Sequence, residues 1–423
     1  MKKMGLVLGG GGGKGSYEIG VWMALRDLEL EPEIGGVSGT SVGALNTALY
    51  AQGDLHSAVN LWTSLSTEDI VHLDMQKVMT GFLAVLTAAA APQKIHSIAR
   101  YFKPNMVFKS GVLSQSYVKQ MISQHVNLLR LWSSPLELFA CCCQLPLFKP
   151  EYFSLKELNI ERLTSILLAS SAIPLAFDAV HLNGHPYYDG GLRDNVPIRP
   201  LYESGYRKMI VVDLDPDGKI DEDQFPDTDF YLITPRQREL FQSGLTQVLS
   251  FSPQVNAQRI YSGYRDAVRV LANIPFIHRN NLYQKRENFI PAQMDQILRL
   301  ENGLHVTVHR AEIRILRNQR YAFFDISTQM AGNADLPDSC LMLATELLLA
   351  FPDGRRSYVD LNLEAGSQQM YDFPLCLVRN QVFRGYMAFP LPDDIRDFFL
   401  IIKDYYDYSP KGPNYFMDFS SAS

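Results

Sequence analysis

Two short apolar runs, each closed by glycine and each followed by a helical pattern, fill the first 52 residues. Met4 to Leu8 reads as a strand, Gly9 to Gly13 with Lys14 and Gly15 as a glycine turn, and Ser16 to Leu28 as a helix. Ile34 to Val37 reads as the next strand, Ser38 to Thr40 as a tight turn, and Ser41 to Gln52 as a second helix. Repeated strand–turn–helix units of this kind bury their apolar strands only in a mostly parallel sheet with helices on its faces. The pattern continues with strands at Leu138 to Gln144, Pro186 to Asp189 and Lys208 to Leu214, and a helix at Leu163 to Ser171. The expected fold class is therefore α/β, a three-layer sheet with flanking helices.

After about residue 272 the texture changes. Val306 to Val308, Arg320 to Ile326, Ser357 to Leu363, Gln381 to Phe389 and Phe398 to Ile402 are β-like and separated by Gly, Pro, Asn and Asp. A chain of 423 residues exceeds what one hydrophobic core holds. The expectation is an α/β domain over residues 1–272 and a smaller β-rich domain, sandwich-like, over 273–423.

Three motifs in the first part carry chemistry. The glycine turn can point backbone N–H groups at an anion at the start of a helix. Taken alone it fits two readings. Gly10, Gly12 and Gly15 have dinucleotide-loop spacing, with Glu33 near the distance expected for a ribose-binding acid. The second motif, Gly39-Thr40-Ser41-Val42-Gly43, has small residues on both sides of a serine between strand and helix, the sharp turn that lifts a hydroxyl above a sheet. The third, Asp189-Gly190-Gly191, ends a strand with a carboxylate free of steric obstruction, though Asp-Gly is also a common turn pair. Together they describe a nucleophile, a base and an oxyanion site. Nine histidines are available as alternative bases and spacing requires none of them; His181, His185, His305 and His309 read as surface or packing residues.

In this order the motifs resemble those of the patatin-like phospholipase family. Its oxyanion motif falls on Gly10, Gly11, Gly12, Gly13, Lys14 and Gly15, its nucleophile on Ser41 with Gly39 and Gly43, and its catalytic acid on Asp189 with Gly190 and Gly191. The flanks Ala169 to Pro174 and Gly190 to Ile198, the strand Met209 to Asp215 and the run Phe251 to Ala267 extend the resemblance over residues 4–272. It implies a Ser41–Asp189 dyad that works without histidine, an oxyanion hole at Gly10, Gly11 and Gly12, and hydrolysis of fatty-acyl esters in phospholipids or other lipids. It implies no cofactor. The chain departs from the pattern at Leu175, where the family often has Gly, and over Asp74 to Gln93. An acyl transferase with the same dyad, or a dinucleotide-binding or non-catalytic module, is the alternative.

Charge and cysteine usage narrow the partners. The net charge of −6 argues against a nucleic-acid partner. The acidic run Asp213 to Asp229, with eight acids and one lysine, reads as a solvated loop. Its Asp213, Asp215, Asp217 and Gly218 mimic a calcium loop, but Pro216, Gln224 in the last ligand position and a preceding strand count against one, so no metal is expected. Cys141, Cys142 and Cys143 are adjacent, unsuited to a disulfide framework, and read as buried small residues of a cytoplasmic protein. Behind Lys2 and Lys3 the apolar run is too short for an export signal. The uncharged stretch between Lys77 and Lys94, at 16 residues, is too short to span a bilayer. Within it Met79, Phe82, Leu83, Val85 and Leu86 suit either a buried helix or shallow, peripheral contact with a lipid surface.

Overall fold

The computed structural model describes residues 3–65, 116–174, 177–241, 251–272, 274, 281–300, 303–331, 339–363, 368–373, 375–403, 405–406, 409–410 and 414–419. The segment Asp74 to Gln93 and Leu175 lie outside the described residues. Contacts divide the chain into two units, residues 1–22 with 31–266, and residues 23–30 with 267–423.

The first unit is built on an eight-stranded sheet. Its strands are β1 (Met4–Leu8), β2 (Ile34–Thr40), β3 (Glu137–Gln144), β4 (Lys149–Ser154), β5 (Val180–Leu182), β6 (His185–Asp189), β7 (Lys208–Val212) and β8 (Asp229–Ile233). They run β5-β6-β3-β2-β1-β7-β8, with β4 also on β3. Strands β3, β2, β1, β7 and β8 are parallel, and β4, β5 and β6 pair antiparallel. The sheet is thus mixed at one side.

The α-helices described are α1 (Ser16–Asp27), α2 (Val42–Ala51), α3 (Leu55–Ser64), α4 (Ser116–His125), α5 (Leu128–Ser133), α6 (Ile160–Ser170), α7 (Arg199–Glu203) and α8 (Pro253–Leu271). One sheet face carries Val7, Met209 and Val211, which bury against Ile198, Leu201 and Tyr206 at α7. Helices α1 and α8 meet through glycines. A Cβ on Gly20 would lie 1.8 Å from the Ile260 carbonyl oxygen, and one on Gly263 would lie 2.0 Å from that of Tyr17. Any side chain there forces the two backbones apart.

The turn expected at Ser38 to Thr40 is not a turn. Strand β2 continues to Thr40, which pairs with Cys141 of β3, and the reversal is compressed into Ser41. The physical reason lies in long-range partners. The Ser38 hydroxyl donates to the Pro197 carbonyl (2.6 Å) and that of Thr40 to the Asp194 carbonyl (2.9 Å), so both residues stay extended in the sheet.

The second unit is β-rich. A four-stranded antiparallel sheet orders β10 (Leu298–Arg299), β11 (Leu304–Leu316), β12 (Gln319–Met330) and β17 (Val382–Leu391). A five-stranded sheet orders β15 (Arg356–Tyr358), β14 (Leu347–Ala350), β18 (Phe399–Ile402), β21 (Tyr415–Asp418) and β9 (Ile290–Pro291). The remaining strands form two short pairs, β13 (Ser339–Met342) with β16 (Leu375–Val378), and β19 (Tyr405–Tyr406) with β20 (Ser409–Pro410). Phe324, Phe389, Phe398 and Phe419 interlock in its core at centroid distances of 5.3 to 5.6 Å. The β-like run Ser357 to Leu363 is strand only to Tyr358; beyond it Asp360 turns the chain by accepting the Asn362 N–H at 2.9 Å.

Candidate active site

Two parallel strands and one antiparallel strand deliver the three motifs to one end of the sheet. Strand β1 ends at Leu8, beside Gly39 of β2 in register, so the glycine turn and Ser41 emerge side by side. Strand β3 lies between β2 and β6 in the sheet order, with Thr40 opposite Cys141 and Asp189 opposite Cys142. Adjacent positions of β3 therefore set the serine and the carboxylate next to each other. Cys141, Cys142 and Cys143 are fully buried. Burial pushes all three thiols up, that of Cys143 to about 12, so they pack and do not react.

Ser41 caps α2 with φ 56° and ψ −123°, a conformation that L-residues rarely adopt. The surroundings hold it there. A Cβ on Gly39 would sit 2.1 Å from the Gly43 carbonyl oxygen, and one on Gly43 would sit 2.3 Å from that of Leu8. Only glycine at both positions permits this bend. The Ser41 N–H donates to the Ser170 Oγ (3.0 Å), and the Ser170 hydroxyl donates to the Cys141 carbonyl (2.7 Å). The Ser41 side chain is a neighbour of Asp189 and opposes the rise of its pKa.

Asp189 is buried, and desolvation raises its pKa from the usual carboxylate range to about 6, against the opposing hydrogen bonds from Ser41 and Gly191. Gly191 N–H donates to its Oδ1 at 2.8 Å. Gly190 has no room for a side chain, since a Cβ would lie 2.5 Å from the Cys141 carbonyl oxygen.

The glycine turn is braced from three sides. Asn195 clamps Gly10: the Gly10 N–H donates to the Asn195 carbonyl (3.0 Å) and Asn195 Nδ2 donates to the Gly10 carbonyl (3.1 Å). The fully buried Arg259 donates through Nη1 to the Gly13 carbonyl (2.9 Å) and through Nε to that of Leu240 (3.2 Å). Desolvation lowers its pKa to about 10. Lys14 is buried and donates to the Phe241 carbonyl (3.1 Å), its pKa lowered by burial and by Arg259. The N–H groups of Gly11 and Gly12 have no acceptor among the described residues. Of the three glycines expected to supply oxyanion donors, Gly10 thus spends its N–H inside the fold, while Gly11 and Gly12 keep theirs.

An apolar cavity of about 110 Å³ opens beside Ser41. Val42, Leu45 and Leu49 line it from one face of α2, and Val118, Met121 and Ile122 from α4, with Trp62, Ile173 and Phe177 also on its wall. His125 faces the same cavity.

The structure separates the remaining candidates. Glu33 precedes β2, at the end of the sheet opposite the glycine turn that follows β1, so it cannot meet a ribose there. This removes the geometry a dinucleotide site needs. His181 and His185 are exposed on β5 and β6, and His309 in the second unit bonds Asp295 and the Ser327 hydroxyl. Three groups that position the site were missed by motif reasoning, namely Ser170, Asn195 and Arg259. The first two lie in the flanks Ala169 to Pro174 and Gly190 to Ile198, and Arg259 in the run Phe251 to Ala267, where their residue types alone do not distinguish bracing from packing.

Residues 6–202 match the model of a family described as patatin-like phospholipase. Over 222 residues, 52% of this chain, the sequence is 27% identical to lysophospholipase NTE1 of Cryptococcus neoformans var. neoformans serotype D, covering 12% of that protein. It is 23% identical over 211 residues to the uncharacterized protein YjjU of Escherichia coli strain K12, 50% of this chain and 51% of that one. The chain thus spans only a small part of the fungal protein and about half of the bacterial one. Among solved structures, VipD from Legionella pneumophila aligns over 64% of this chain and 67% of its own, at 13% identity and a TM-score of 0.36. Among the described residues no helix is long and apolar enough to cross a membrane.

Proposed function

Taking residues 6–202 as a patatin-like phospholipase domain, we propose that this chain hydrolyses fatty-acyl esters of lipids through Ser41 and Asp189. The observation that carries the proposal is Ser41 set beside a buried carboxylate across strand β3, at the wall of an apolar cavity. A serine hydroxyl is a weak nucleophile until a base takes its proton, and a carboxylate with a pKa of about 6 is a base at neutral pH. Asp189 accepts the proton as Ser41 Oγ bonds to the ester carbonyl carbon. The carbonyl oxygen becomes an oxyanion, which the free N–H groups of Gly11 and Gly12 receive at the start of the helical turn Gly12–Gly15. Asp189 then returns the proton to the leaving alcohol, and the acyl group stays on Ser41. A water molecule, deprotonated by Asp189, attacks the acyl carbonyl carbon; the Ser41 Oγ–acyl bond then breaks, Asp189 returns the proton to Ser41 Oγ, and the fatty acid leaves.

The cavity beside Ser41 takes the acyl chain, since its α2 and α4 walls are aliphatic. The lysophospholipase named among the relatives favours a phospholipid or lysophospholipid as the ester. The buried thiols of Cys141 to Cys143 agree with a reducing, cytoplasmic setting. Release of free fatty acid from lysophospholipid and from a soluble p-nitrophenyl ester tests the proposal. Ser41→Ala, folded as the parent, is expected to abolish both activities; retained hydrolysis of either ester removes Ser41 from the mechanism.

A further inference from the structure

One side-chain amide ties the helix of the nucleophile to the glycine turn. Asn46 stands on α2, which Ser41 caps, and Glu18 in the first turn of α1; each is only 2% exposed. Asn46 Nδ2 donates both its hydrogens, to the Gly15 carbonyl (2.9 Å) and to Glu18 Oε2 (2.7 Å), while Asn46 Oδ1 accepts the Trp62 Nε1–H (3.0 Å). This orientation is unique. An indole N–H only donates and a backbone carbonyl only accepts, so a flipped amide would leave both facing the wrong atom. Trp62 is held in turn, its carbonyl accepting from Asn256 Nδ2 of α8 at 2.9 Å.

The link sits where the two halves of the site meet. Gly11 and Gly12, whose N–H groups have no acceptor in the fold, open the turn that ends at Gly15, and Ser41 opens α2. The other contact between turn and helix is apolar: a Cβ on Gly15 would lie 2.5 Å from Val42 Cγ2. Apolar contact limits approach but sets no direction, whereas three hydrogen bonds converging on one planar amide do. Glu18 supplies the second acceptor. Burial raises its pKa well above the ordinary carboxylate range, which favours the neutral acid, and the Asn46 bond opposes the rise. Its Oε1 is buried without a hydrogen-bond partner among the described residues, so the carboxyl serves Asn46 alone. An acid held inside for a single hydrogen bond is a poor way to fill a core, and its position behind Asn46 gives it another purpose.

Resting on the acyl-hydrolase reading above, we propose that Asn46 and Glu18 are positioning residues that hold the Gly11 and Gly12 N–H groups in place relative to Ser41 Oγ. Asn46 acts through the Gly15 carbonyl, and Glu18 acts through Asn46. The oxyanion forms only on the way to the transition state, so loosening this link lowers kcat and leaves KM.

The test compares Glu18→Gln, Glu18→Met and Asn46→Leu with the wild type in p-nitrophenyl ester hydrolysis, with melting curves as the control for folding. Two inhibitors separate the stages. The fatty-acid product occupies the acyl cavity alone. With an alkyl trifluoromethyl ketone, Ser41 Oγ bonds to the ketone carbon, the serine proton passes to Asp189, and the ketone oxygen becomes an oxyanion. Glu18→Gln keeps an acceptor for Asn46 and should retain kcat within about twofold. Glu18→Met removes the acceptor: kcat should fall about tenfold and the trifluoromethyl ketone should bind about tenfold more weakly, while KM and fatty-acid inhibition stay unchanged. Asn46→Leu frees the Gly15 carbonyl as well and should lower kcat about 10²-fold. Should Asn46→Leu lose the native melting transition, the two Glu18 variants carry the test, since Glu18 does not line the cavity. Wild-type kcat in Glu18→Met overturns the proposal. So does a loss that Glu18→Gln shares, or one matched by equal changes in KM and fatty-acid inhibition. A wild type that hydrolyses no ester removes the acyl-hydrolase reading itself; one that hydrolyses esters and keeps its rate in Glu18→Met removes this inference alone.

Discussion

Replacing Asp189 by Asn separates two consequences of burying one carboxylate. Asp189 has a folded pKa of about 6 against an ordinary 3.8, a gap of about two units, which corresponds to about 3 kcal/mol. The sign follows from proton binding. Between pH about 4 and 6 the folded state holds the proton and the unfolded state has released it, so stability falls as pH rises through this window. Below the window both states are protonated and burial of this group is nearly neutral; above it the fold carries the full penalty of a desolvated charge. Asparagine does not titrate, and its carbonyl oxygen can still accept the Gly191 N–H now held at 2.8 Å. Asp189→Asn should therefore gain about 3 kcal/mol on the wild type between pH 4 and pH 7. Urea denaturation at several pH values measures this. All three tryptophans, Trp22, Trp62 and Trp132, lie in the first unit, so their fluorescence follows the transition that matters. In the same variant ester hydrolysis should fall by at least about 10³-fold, because no group takes the Ser41 proton. Stability curves that stay parallel from pH 4 to 7, or a variant that retains activity, would refute the reasoning.

Other outcomes follow from the same contacts. The wild-type kcat/KM should decline tenfold per pH unit below about 6, as Asp189 protonates, which a pH–rate profile on a soluble ester reads. Arg259→Met leaves the Gly13 and Leu240 carbonyls without their donor and loosens the glycine turn; kcat should drop by about 10²-fold with little change in KM. Gly263→Ala drives a Cβ into the Tyr17 carbonyl oxygen, and the first unit should lose about 3 kcal/mol in denaturant titrations. Leu49→Trp fills the cavity beside Ser41 from α2 and should shift preference towards shorter chains in a p-nitrophenyl ester series.

The legible parts of this protein are those in which the backbone itself is constrained locally. Gly39, Gly43 and Gly190 can be picked out because a tight bend tolerates no other residue, and Ser41 and Asp189 stand beside them in the chain. The alternation of strands and helices was readable for the same reason, since periodicity and glycine are local signals. Contacts made at long range were not. Nothing near Gly10 announces that Asn195 consumes its N–H, and nothing near Gly13 announces Arg259. The extension of β2 through Thr40 goes with hydroxyl bonds to Asp194 and Pro197, more than 150 residues away, so the turn falls three residues later than the local pattern predicts. Glu33 shows the converse: its sequence distance suits a ribose acid, the reading left open for the glycine turn alone, but parallel pairing of β1 and β2 carries it to the other end of the sheet.

The central claim is that Ser41 is a nucleophile activated by Asp189. Treatment of the chain with a fluorophosphonate, followed by peptide mass spectrometry, tests it most directly. A single phosphonylated residue, Ser41, is expected, with labelling that slows below pH about 6 and is lost in Asp189→Asn. Labelling at another serine, or at Ser41 with undiminished rate in Asp189→Asn, would contradict it.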